Sequence, residues 1–281
     1  MSISDILLEQ VVRLHAEGQN KRRDEHEGFD RALWTKVEEL GLPLAMCPEA
    51  QGGFELQWSQ LFDVIAHSAE CGEPTPLGET LVGNAMLSAA GSAPRNGPVF
   101  FGAPPSGAPE TARLLAAEDL SQAGALLRAV QIAGALKGAL DLSVRYAQER
   151  VQFGRPLSKF QAVQHMLAQL AGEALATAAA ARAACAKVDA GDGELAVAIA
   201  KLRAGRAVER GVMLAHQVHG AIGVTLEYPL ARLSRNMWRW AEDFGDQRHW
   251  AVVVGRMTLA GAGAWETVVS ASDPVGVPDD E

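Results

Sequence analysis

"QERVQFGRPLSKFQAVQHMLAQLA" (148–171) places a helical pattern on either side of a short interruption. Phe160, Val163, Leu167 and Leu170 recur at three- and four-residue spacing, as on the buried face of a helix. Upstream, the pattern predicts one long helix over Leu120 to Arg150. The interruption "VQFG" sits between Arg150 and Arg155, so a break between two helices would present two guanidinium groups and a ring. Gln161 then falls on the first turn of the second helix. Arginine donates several fixed hydrogen bonds and suits a pyrophosphate, while Phe153 has a flat face for a ring system. Read by itself, the same segment also fits a helix end with solvated arginines.

Outward from this stretch the helices continue. The second runs over Lys159 to Asp189, a third over Glu194 to His219, and a fourth over about Pro229 to Arg239; "DAGDGE" (189–194) supplies the turn between the second and third. Four long helices with short loops favour an antiparallel four-helix bundle. Alanine tracts such as "ALATAAAARAACAKVDA" belong to it, because Ala loses little side-chain entropy in a helix and lets neighbours approach. The first 90 or so residues read as shorter helices, with Leu7, Val11, Leu14 and Phe29, Leu33, Val37, Leu40 at helical spacing. The turn "GLPLAMCPEAQGGFEL" (41–56) interrupts them, followed by helices over Ser59 to Cys71 and Thr80 to Ala90. Between the halves, "GSAPRNGPVFFGAPPSGAP" (91–109) is rich in Gly and Pro, and only Val99, Phe100 and Phe101 resemble a strand. The expected organisation is mainly all-α: an N-terminal helical domain (1–90), a linker or β-domain remnant (91–118), a C-terminal bundle (119–265) and a tail (266–281).

Composition narrows the function classes. The 281 residues carry a net charge of −9, which opposes non-specific nucleic-acid binding, since that depends on a basic surface. Charge interrupts the apolar stretches, so no membrane-spanning run of about 20 residues is expected. The acidic start, without a basic segment and cleavage site, leads us to expect a cytoplasmic protein. Cys47, Cys71 and Cys185 are widely spaced and expected as small buried residues. In "HQVHGAIGVTLEYPLARLSRN" (216–236), His216 and His219 share a helix face but lack neighbouring ligands, so no metal site is expected. Gly220 and Gly223 end that helix and permit close backbone approach, with Gln217 one turn earlier. Neither a G-x-G-x-x-G nor a G-x-x-x-x-G-K-[ST] loop is present, and neither is a G-x-S-x-G elbow.

Three segments, in this order, resemble the acyl-CoA dehydrogenase family of flavoproteins. "LGLPLAMCPEAQGGFEL" looks like the family's N-terminal Pro-Glu and Gly-Gly turn, "YAQERVQFGRPLSKFQAVQHMLA" its R-x-x-F-G signature, and "QVHGAIGVTLEYPLARLSRN" its Q-x-x-G segment. The resemblance implies FAD as cofactor, an acyl-CoA substrate, a carboxylate that removes the α-proton, and an electron-transfer flavoprotein as acceptor. It further implies that Arg150, Phe153, Gln161, Gln217 and Gly220 touch FAD bound largely by a neighbouring subunit.

Two departures qualify that implication. The family's β-rich middle domain, of about 100 residues, is reduced to the Gly/Pro segment. The family's usual glutamate position, counted from Arg235, falls on Phe244 in "RWAEDFGDQRHW" (239–250); the alternative position, on the first long helix, falls near Gly124. Neither is an acid, so no catalytic base is expected in this chain, and Asp243 or Glu242 would serve only after a shift of one or two residues. The resemblance therefore implies a short subunit of a hetero-oligomer, for example a heterotetramer, whose full-length acyl-CoA dehydrogenase partner supplies the base. Some such heteromers act on CoA thioesters of steroid side chains. A self-sufficient shortened dehydrogenase and a non-catalytic structural or regulatory paralogue remain open.

Overall fold

The computed structural model describes residues 2–19, 29–95, 97–102, 107–109, 113–114, 121–261 and 263–272. Parts of the Gly/Pro segment, and the tail beyond 272, lie outside the described residues. Helices α1 (Ile3–Gln19), α2 (Arg31–Glu39), α3 (Trp58–Glu70) and α4 (Leu77–Ala89) form the first half. Strands β1 (Val99–Phe100) and β2 (Arg113–Leu114) pair in parallel. The second half comprises α5 (Ser121–Glu149), strands β3 (Val151–Gln152) and β4 (Arg155–Pro156), then α6 (Gln161–Asp189), α7 (Glu194–His219), α8 (Pro229–Glu242), α9 (Gln247–Ala260) and α10 (Ala264–Ser272). The all-α reading holds, and among the described residues the middle β-structure consists of two-residue strands.

Local chemistry explains the boundaries. Asp30 caps α2 by accepting from Leu33 N at 2.9 Å, the short-polar cap expected of a helix start. Asp189, at the end of α6, accepts from Trp58 N and Ser59 N at 3.0 and 2.9 Å. One carboxylate thereby closes the start of α3 and ties the two halves together. Gly134 and Gly138 lie one turn apart on α5; a Cβ would stand 2.0 Å from the Ala66 carbonyl oxygen at the first and 2.6 Å from that of Glu70 at the second. Only glycine lets α3 lie this close. The buried apolar residues of both halves consequently form one continuous core.

Antiparallel α5, α6 and α7 pack side by side, and α8 with α9 completes the bundle. The fourth helix runs beyond the expected Arg239 to Glu242, and α9 follows after a four-residue break. Two expectations need correction. By length and composition α5 passes as a membrane span, with a mean hydropathy of 1.2 over an 18-residue window within Gln122–Glu149, although 83% of that window is buried inside the structure; its apolar surface is the bundle core. Cys71 is half-buried, whereas Cys47 and Cys185 are buried, because Cys71 caps the end of α3.

Candidate functional site

Between Arg150 and Gln161 the interruption is a β-hairpin followed by a 3₁₀ turn. Phe153 (φ 52°) and Gly154 (φ 78°) form its two-residue loop, and two successive positive φ values are what a type I′ hairpin turn requires. Phe153 pays a steric penalty there, and its side chain is 90% exposed. The Arg155 guanidinium lies 4.2 Å from the Phe160 ring centroid, and Phe153 meets that ring edge-on at 6.2 Å. Arg150 is exposed just after α5, and its carbonyl accepts from Leu157 N at 2.9 Å, which closes the hairpin base.

Gln217 and Gly220 lie at the far end of α7, also exposed. Gly220 has φ 64° and ψ −143°, a conformation essentially restricted to glycine. The ends of α5 and α7 are joined by stacked rings: Tyr146 and His219 lie 4.7 Å apart and nearly parallel, and His219 Nε2 is 3.1 Å from the Tyr228 hydroxyl. Burial lowers the His219 pKa and raises that of Tyr228, so near neutrality this junction is an uncharged stack. It brings the Arg150 turn and the Gln217–Gly220 turn to the same end of the bundle. Gln161, the first residue of α6, follows the hairpin there.

"RWAEDFGDQRHW" lies elsewhere, where α8 passes into α9. Asp246 caps α9 by accepting from His249 N at 2.8 Å, and Phe244 takes φ 58°. Its ring rests on α5 at Gly124, where a Cβ would approach three ring carbons to 2.7 Å. Phe101 meets the same ring edge-on at 5.8 Å. Arg128, one turn beyond Gly124 and 1% exposed, lies 5.7 Å from the Phe244 centroid.

A buried ionic network surrounds that guanidinium. Arg128 donates to Asp243 Oδ2 at 2.9 and 2.8 Å, to Glu79 Oε1 at 2.6 Å and to Gln131 Oε1 at 2.8 Å. Glu79 Oε2 in turn accepts from Phe101 N at 2.9 Å. Asp243, 30% exposed, is thus engaged by a cation, while Glu242 is exposed. Lys201 is buried against the end of α8 and donates to the Trp240 and Ala241 carbonyls at 2.7 Å each. Burial lowers its pKa to about 8 despite the Asp243 charge. The Glu73 carboxylate is buried too, and desolvation, reinforced by Glu79, raises it to about 8 against the pull of Arg128, the Gly78 N–H and Gln131. Of this network, sequence reasoning found only Asp243 and Phe244; Arg128, Glu79 and Glu73 read as ordinary helix and turn residues.

These features fit FAD unequally. The bundle end offers an arginine fork, a fully presented ring and a close-approach glycine, which suit a diphosphate and an adenine. The Phe244 region is filled by the chain's own side chains, and Asp243 beside it is engaged by Arg128.

Residues 116–240 match the acyl-CoA dehydrogenase C-terminal domain, so this helical part of the chain is similar to that domain of the family. The chain is 28% identical over 253 residues to the acyl-CoA dehydrogenase IpdE2 of Mycolicibacterium smegmatis, covering 72% of this chain and 80% of that protein. Identity reaches 41% with another relative, but over 105 residues that make up only 27% of its length. Among solved structures, the ChsE4-ChsE5 complex from Mycobacterium tuberculosis shares the fold with a TM-score of 0.77 and 18% identity, over 94% of this chain and 99% of that one. The Tcur3481-Tcur3483 steroid ACAD shares it with a TM-score of 0.78 and 21% identity, over 92% and 98%.

Proposed function

We propose that this chain is a subunit of a FAD-dependent acyl-CoA dehydrogenase, active in the α,β-desaturation of an acyl-CoA thioester together with a partner subunit. The observation that carries the proposal is the Phe244–Gly124 contact. Both positions at which the family resemblance places a glutamate meet there, and neither holds an acid. The proton acceptor therefore belongs to a full-length partner. This chain contributes Arg150, Phe153, Gln161, Gln217 and Gly220 to FAD held mainly by that partner. Bound FAD supplies hydride acceptance from the β-carbon, and an electron-transfer flavoprotein takes the electrons onward. The residues of this chain bind and orient: Arg150 with its charged fork, Phe153 with its exposed face, and Gly220 by near approach of backbone.

A two-component arrangement is supported by the fold shared with the ChsE4-ChsE5 complex, and a steroid-derived acyl group by the fold shared with a steroid ACAD. We place the reaction in the cytoplasm, with neither nucleic acid nor membrane as partner. Use of Asp243 as the chain's own base is opposed by its two contacts with Arg128, which occupy Oδ2.

Purification separates the readings. The chain expressed alone should be colourless or weakly flavinylated, and co-expression with a full-length relative that retains the glutamate should give a yellow, active complex. Full FAD content and activity in the chain alone would establish a self-sufficient enzyme. Absence of any complex or flavin would establish a structural paralogue.

A further inference from the structure

Where α1 lies against α3, three side chains with metal-binding atoms converge. His15 is buried on α1, His67 is in the last turn of α3, and Cys71 caps that helix. Their ligand atoms all lie within 4.8 Å of one another. His67 Nε2 and Cys71 Sγ are 3.6 Å apart. Tetrahedral zinc with Zn–S near 2.3 Å and Zn–N near 2.0–2.1 Å has an N···S edge of roughly 3.6 Å, so this pair already stands at ligating separation. The His15 and His67 rings lie 5.4 Å apart, tilted by 31°. No pair of ligand atoms is more than 4.8 Å apart, which exceeds a tetrahedral ligand edge by at most roughly 1.5 Å.

The shell behind His67 supports the same reading. Its other nitrogen, Nδ1, is 3.5 Å from Glu70 Oε2, and Lys137 of α5 holds the second Glu70 oxygen at 2.7 Å. A carboxylate behind a ligating histidine fixes the ring's orientation and raises its basicity, and is the recurrent outer partner of protein zinc sites. Two imidazoles and a thiolate form a donor set matched to a borderline-soft divalent ion. His15 and His67 are far apart in sequence and show no ligand spacing, so no local motif announces this site.

We propose that His15, His67 and Cys71 bind one Zn²⁺, with water as fourth ligand, and that the ion fastens α1 to the end of α3. This site is remote in sequence from the flavin-facing residues and does not depend on their assignment. Because the ligands come from two helices, metal binding is linked to their packing.

The test uses tag-free protein, alone and in its complex, stripped with a chelator and titrated with ZnCl₂ by calorimetry, with elemental analysis of the dialysed product. One equivalent per chain and a raised melting temperature are expected. Co²⁺ in place of Zn²⁺ should give a thiolate-to-cobalt charge-transfer band that Cys71→Ser abolishes. Cys71→Ser and His15→Gln should each weaken Zn²⁺ binding at least tenfold, and Glu70→Gln by about tenfold. Should His15→Gln fail to fold, the half-buried Cys71→Ser carries the test alone. Failure to bind one equivalent, or affinity unchanged in Cys71→Ser, would overturn the proposal and leave a histidine–thiol contact stabilised by Glu70.

Discussion

Gly124 and Phe244 occupy each other's space: a Cβ on Gly124 would lie 2.7 Å from three carbons of the Phe244 ring. The two alternative base positions inferred from the resemblance are thus neighbours across the α5–α8 junction. A phenyl ring now fills the gap. Gly124→Ala should destabilise the chain by about 1–3 kcal/mol through overpacking. Phe244→Ala makes room for the added methyl, so the double variant should be less destabilised than the sum of the singles. A denaturant-unfolding cycle measures this coupling; strict additivity would mean that the ring swings away freely.

Phe244→Glu should not create an active enzyme from the chain alone. The new carboxylate would lie beside Arg128, and among the described residues two-residue strands stand where a β-domain would enclose flavin and substrate. Acyl-CoA oxidation with an artificial electron acceptor is the measurement. Robust turnover by this variant without a partner would contradict the division of labour.

Arg128 is the cation on which the buried network depends. Arg128→Met strands Glu79, itself buried, and should cost about 3–5 kcal/mol, as expected when one partner of a buried pair is removed. Adding Glu79→Gln should recover part of that loss. Asp243→Asn should cost less, since Asp243 is 30% exposed and keeps a polar group next to the guanidinium. Equal losses for Arg128→Met and Asp243→Asn would show that Glu79 contributes little.

Glu73 gives stability a defined pH dependence. Its folded pKa is about 8 against an ordinary 4.5, chiefly through burial, so the fold favours the protonated form. That stabilisation is complete below about 4.5 and is lost as pH rises through about 8. Melting temperature should therefore fall by several degrees between pH 5 and 9, and Glu73→Gln should flatten the decline. Lys201 has the opposite sign: burial lowers it to about 8 from 10.5, so its cost is full below pH 8 and relieved above. An equal decline in Glu73→Gln would assign the pH dependence to other groups.

Arg150→Ala should leave stability unchanged, because the side chain is exposed. FAD retention by the complex should weaken by about 1.5–3 kcal/mol, the worth of one charge-assisted contact. Flavin content after dialysis, read by absorbance, decides it; undiminished content would remove Arg150 from the cofactor site.

Much of the candidate site was legible because it is local. Arg150, Phe153 and Gln161 lie within twelve residues, and the Phe-Gly step marks a turn whatever surrounds it. Its exact form, a hairpin with Phe153 at positive φ, was not legible, since a helix end and a hairpin share those residue types. The network around Phe244 was largely hidden for a different reason. Glu79 and Arg128 come from two separate helices and Asp243 from the turn after a third, and nothing in their spacing announces that they touch.

Sequence periodicity by itself determined the helices and the order of the two halves, and a count along the chain against the family resemblance put Phe244 and Gly124 where that resemblance implies an acid, because these depend on neighbouring residues or on position in the chain. Tertiary structure alone decided that α3 and α5 approach through Gly134 and Gly138, that Arg128 neutralises Glu79 and Asp243, and that His15 meets Cys71. Those relationships arise from packing between distant segments, where close approach and desolvation decide which groups pair, and neither acts within a single helix.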